Sequence, residues 1–86
     1  MKKTTKTLSA SEIFALNLKG LMAMQGVSAS EMQTYMGIGE TTFYKRMKRP
    51  YEFSMDNMER AARRLGVSPA DMICKVMTVS GTEASA

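Results

Sequence analysis

Eighty-six residues suffice for one domain with a single apolar core and are too few for two. At 44% hydrophobic and 23% charged, the composition is that of an ordinary globular chain and excludes a disordered acidic or basic segment. One cysteine and no histidine exclude an internal disulfide and a zinc site of Cys and His, and the formal charge of +4 is modest until its placement is considered.

Residues 1–8 mix Lys with Thr without periodicity and are expected to form a flexible arm. The basic start leads into a charged, amphipathic segment and not an apolar run, so no signal peptide is expected. Nothing approaches the ~18 consecutive apolar residues that cross a bilayer. The sequence therefore predicts a soluble, cytoplasmic protein that makes no use of a membrane.

Ser9-Ala10-Ser11-Glu12 matches a capping box and opens a first helix, with Phe14, Leu18 and Leu21 inward, Ile13 and Met24 flanking, and Gly26 as the stop. Ser28 caps a second helix with Glu31 as its reciprocal partner, and Met32, Tyr35 and Met36 supply the apolar side. Gly37-Ile38-Gly39 is a tight turn, with Ile38 directed at the core and Gly39 letting the chain enter a third helix, Glu40 to about Lys48. Phe43 and Met47 lie four apart and point inward, which turns Glu40, Thr41, Tyr44, Lys45 and Lys48 outward.

Pro50 ends that helix, and Tyr51 and Phe53 are expected to pack on the domain. Ser54 caps a fourth helix whose inner stripe is Met55, Met58, Ala62 and Leu65, closed by Gly66. Ser68-Pro69-Ala70-Asp71 opens a fifth, expected to reach about Met77 with Met72, Ile73 and Val76 apolar. The folded body thus spans residues 9–77, with a flexible tail at 78–86.

Charge placement points to a partner. Four of the five residues from Lys45 to Arg49 are basic, whereas the acids are scattered along the chain. Cations at a helix end are also favoured by the helix dipole without any ligand. Two helices joined by so tight a turn must cross steeply, however, and the second then projects as a rod with a basic end, suited to a nucleic-acid groove. Catalysis fails on inventory: there is no histidine, nucleophile elbow, glycine-rich phosphate loop or acidic cluster, and no cofactor, metal or small-molecule ligand is implied. Most of the ten methionines fall on inward faces, leaving Met22, Met24, Met72 and Met77 as candidates for a dimer contact. Cys74 reads as a small buried or half-buried apolar residue.

Gly26-Val27-Ser28, Met32 and Met36, Gly37-Ile38, Phe43, and Ala62-Arg63-Arg64-Leu65-Gly66-Val67 together resemble the lambda-repressor-like (Cro/repressor, XRE-type) helix-turn-helix family over about residues 10–74. The run Thr42 to Pro50 is similar to small prophage regulators of that group. The resemblance implies an all-α, five-helix DNA-binding domain with its helix-turn-helix in helices two and three. It implies sequence-specific binding of a double-stranded DNA operator by a homodimer, as a transcriptional regulator. Its base-contacting positions fall on Glu40, Thr41, Tyr44 and Lys45. Lys45 suits guanine O6 and N7, Glu40 cytosine N4, and Thr41 the thymine methyl, while Tyr44 suits sugar or phosphate. Ser28, Ser30, Thr42, Arg46, Lys48 and Arg49 are the candidate phosphate contacts. Two residues depart from the family pattern: Gln33 stands where a small residue is usual, and Arg46 where an apolar one is. Either the helix crossing is altered, or both stems lie over the core with their polar ends in water. A protein-interaction module, an antitoxin or adaptor using the same fold, is the alternative.

Overall fold

The computed structural model describes residues 8–76. Among them are five α-helices, α1 (Ala10–Gln25), α2 (Ala29–Met36), α3 (Glu40–Lys48), α4 (Met55–Leu65) and α5 (Pro69–Cys74), with a 3-10 turn at Pro50–Glu52. The expected arm, Met77 and the tail lie outside the described residues, apart from Leu8.

Local chemistry sets the helix ends. At Ser9 the hydroxyl accepts from the Glu12 N–H while the Glu12 carboxylate accepts from the Ser9 N–H, the reciprocal box expected there. Ser28 and Ser68 cap α2 and α5 through their hydroxyls. Gly37 closes α2 at φ 75°, a left-handed conformation that costs any residue with a Cβ ~1–2 kcal/mol. Its N–H donates to Thr34 and that of Ile38 to Gln33, so both orphan carbonyls are satisfied and Ile38 is turned back onto the core. Gly66-Val67 ends α4 in the same way, and at the end of α1 the N–H groups of Gly26 and Val27 both donate to the Met22 carbonyl. A glycine followed by a β-branched residue thus works three times as a stop that also delivers an apolar side chain inward.

The core is assembled from Phe14, Leu18 and Leu21 of α1, Met32 and Met36 of α2, Phe43 of α3, and Met58, Ala61, Ala62 and Leu65 of α4, with Phe53 and Met72 closing it. Each large side chain removed from water contributes about 1.5–3 kcal/mol. Phe53 meets Phe14 edge to face with centroids 5.2 Å apart, which carries the chain from α3 back to the body. Asn17, fully buried on α1, donates through Nδ2 to the carbonyls of Met72 and Lys75, both at 2.9 Å, and so holds α5 against α1.

Several sequence expectations are corrected. Met55 is 59% exposed, because the buried face of α4 runs through Asn57, Met58, Ala61, Ala62 and Leu65 and is centred about a quarter turn away. Tyr51 is 71% exposed, since the 3-10 turn can direct inward only one of its flanking aromatics, and that one is Phe53. Helix α5 stops at Cys74, where Lys75 is already extended at φ −156°, and both Cys74 and Val76 are exposed. Met72 is fully buried and unavailable for a dimer contact. Gly39 adopts φ −85°, open to any residue, so the turn requires glycine at 37 and not at 39. Glu31 does not reach back to Ser28, because its carboxylate is held by Arg64 of α4.

Candidate nucleic-acid interface

Helix α3 is anchored by one face. Phe43 is 2% exposed and Met47 packs half-buried against the same cluster. At 3.6 residues per turn, Glu40, Thr41, Tyr44, Lys45 and Lys48 then fall within about 140° of arc on the other side. All five are exposed. Glu40, in the first turn, complements the positive helix end, which no side chain caps. Tyr44 stands edge-on to Phe43 with centroids 5.2 Å apart, its outer half in solvent. It borders a shallow groove of about 400 Å³ between α1 and α3, lined also by Lys19, Met22, Met47 and Lys48.

The four cations after Tyr44 are not equivalent. Lys45 and Lys48 are exposed and form no ion pair among the described residues. Arg49 lies 3.7 Å from Glu52, a loose pair in which Arg49 is 60% exposed. Arg46 differs from all three: half-buried, it donates from Nη1 to the Asn57 Oδ1 at 2.6 Å. Its polar end therefore goes to another helix and not to water, as one of the two sequence-level alternatives had it. Gln33, the other departure from the family pattern, is also half-buried.

Ser28 and Ser30 are exposed at the start of α2, while Thr42 is half-buried on α3. Met24 is 74% exposed, Met22 packs half-buried on the core, and Met77 lies outside the described residues. Sequence reasoning missed Asn57, which completes a capping box with Ser54, its Oδ1 accepting from the Ser54 N–H at 3.0 Å. The spacing of Ser54 and Asn57 carries that signal, although Glu or Gln is the usual partner at that position. The pairing of Glu31 with Arg64 across α2 and α4, with the Arg64 guanidinium 5.4 Å from the Tyr35 ring centroid, has no signature at sequence level.

Among the described residues no group of His, Cys, Asp and Glu is arranged to hold a metal, and no helix is long and apolar enough to cross a membrane. Helices α2 and α3, the glycine turn between them, and an α3 anchored on one face and bare on the other define a helix-turn-helix DNA-binding domain. A model of the Cro/C1-type HTH DNA-binding domain matches residues 17–76, and the chain belongs to that family. Double-stranded DNA is its partner. Neither curated proteins nor solved structures give a match.

Proposed function

We propose that this chain is a small transcriptional regulator that lays α3 in the major groove and binds a pseudo-palindromic operator as a homodimer. The observation that carries the reading is the bare arc of α3, where Lys45 and Lys48 stand in solvent without a carboxylate partner among the described residues. A helix about 10–12 Å across with its side chains matches a groove ~12 Å wide. Glu40, Thr41, Tyr44 and Lys45 face the bases, and Ser28, Ser30, Thr42, Lys48 and Arg49 position the domain on phosphates. One domain buries little surface, and half-sites one turn apart, ~34 Å, call for two copies. The likeness of Thr42 to Pro50 to small prophage regulators supports a phage-type repressor working in the cytoplasm, at the chromosome.

Most of the attraction is electrostatic, through release of counterions condensed on DNA. Two cationic phosphate contacts per protomer, Lys48 and Arg49, give a slope of log K against log salt near ~−1.8. The test is a gel-shift titration of nonspecific duplex at ~50 and ~200 mM salt, where binding is expected to weaken steeply. No binding at the lower salt overturns the reading. Selection of bound fragments from random duplex then reports the operator, its symmetry and its half-site spacing.

A further inference from the structure

We infer that Arg46 is a positioning residue for the reading helix and not a phosphate contact, acting through Asn57 to set the angle at which α3 meets DNA. The inference rests on the DNA-binding reading above and deepens it. Three observations carry it. Around α3, Arg46 lies about 170° from the centre of the exposed arc formed by Glu40, Thr41, Tyr44, Lys45 and Lys48, so its stem leaves the helix on the side turned from the bare face. Its Nη1 donates to Asn57 Oδ1 at 2.6 Å, a short, charge-assisted bond. And Asn57 is itself tied down: 5% exposed, it accepts from the Ser54 N–H at 3.0 Å through the same Oδ1, while its own N–H donates to Ser54 Oγ at 3.0 Å.

The capping box of α4 is therefore also the anchor point for α3. A single carbonyl oxygen uses both lone pairs, one to start α4 and one to hold the guanidinium. The location is not one a free cation would seek, because the N-terminal end of a helix carries partial positive charge. Elsewhere α3 is fixed by Phe43 and Met47, which set its depth but, being apolar contacts, resist rotation weakly. A small turn of α3 about Phe43 displaces Glu40, Thr41, Tyr44 and Lys45 together, and direct base readout tolerates only about 0.5 Å and 10–20° of error. Phosphate attachment by flexible lysines tolerates far more. The tie should thus govern discrimination between sequences and leave general affinity almost untouched.

The experiment uses the full chain with Arg46→Met, which keeps the apolar stem and removes the donor, and Asn57→Asp, which keeps an acceptor for both Ser54 and Arg46. Affinities for the selected operator and for unrelated duplex are measured across a salt series, beside thermal melts of each variant. Arg46→Met is expected to lose operator affinity on the order of tenfold, the loss of one hydrogen bond to a charged group, with nonspecific affinity and salt slope unchanged. Asn57→Asp is expected to retain discrimination. A fall of ~0.9 in the salt slope with equal losses on both duplexes would make Arg46 a phosphate contact and overturn the inference. Unchanged discrimination in a folded Arg46→Met would overturn it too. Wild-type chain that binds no duplex would instead strike the underlying DNA reading, so the two failures are distinct.

Discussion

Arg64 of α4 clasps Glu31 of α2, its Nε and Nη2 both donating to Glu31 Oε2, at 2.9 and 2.5 Å. This pair fixes the first helix of the helix-turn-helix to the scaffold, and the Tyr35 ring lies beneath the same guanidinium. The side chains are 27% and 40% exposed, so solvent screens the attraction. Arg64→Ala is expected to cost about 1 kcal/mol, or ~4–8 °C in Tm for a domain of this size. Combining it with Glu31→Ala should add little; melts in which the two losses are simply additive would mean that they do not act as a pair.

Asn17 makes a separate prediction. Its replacement by Ala deprives the carbonyls of Met72 and Lys75 of their donor at the end of α5. Loss of stability should be about 2 kcal/mol, since an unsatisfied buried acceptor keeps its full desolvation cost. Amide exchange would locate the damage. Faster exchange confined to α5 and the adjoining turn of α1 is the expected pattern, and α5 protection equal to that of wild type would contradict the role given to Asn17.

The two glycines of the turn should respond oppositely. At Gly37, with φ 75°, a Cβ would meet Arg60 Nη1 no closer than 3.8 Å, so Gly37→Ala is penalised for its backbone and not for crowding, by ~1–2 kcal/mol. Gly39 has an ordinary φ of −85°, open space around it and no side-chain cap to offer α3. Gly39→Ser supplies the missing hydroxyl and is expected to be neutral or to stabilise by a few tenths of a kcal/mol. Denaturant midpoints measured without DNA check both; a larger loss at 39 than at 37 would reverse the assignment.

Lys45 and Lys48 are proposed for different tasks on DNA. Lys45→Ala should relax preference at one base position, by about 1–3 kcal/mol of discrimination. Lys48→Ala should weaken all sequences similarly and lower the magnitude of the salt slope by ~0.9. Comparison of selected fragments and salt series for the two variants decides the matter, and identical profiles would refute the division.

The candidate site was legible in the sequence as far as its residues are local. Phe43 and Met47, four apart, told which side of α3 turns inward, and so that Glu40, Thr41, Tyr44, Lys45 and Lys48 face out. The partner of Arg46 escaped this logic. As a cation in a basic run it read as a phosphate contact, because the sequence places it beside Lys45 and Lys48 and gives no sign of Asn57, 11 residues on, as its acceptor. The expectations for Met55 and Tyr51 failed: each is apolar at a permissible spacing, and only the packed neighbours reveal that a quarter turn separates Met55 from the buried face.

By itself the sequence determined both ends of α1, α2 and α4 and the start of α5. A serine hydroxyl finds its N–H three residues on, and a glycine with a β-branched successor closes a helix on its own carbonyls, with no help from distant chain. Only the tertiary structure decided which polar groups join one helix to another: Arg46 to Asn57, Glu31 to Arg64 across 33 residues, and Asn17 to Met72 across 55. Such bonds need the distances that apolar burial sets where the helices cross, and their geometry follows from that packing and not from any local pattern.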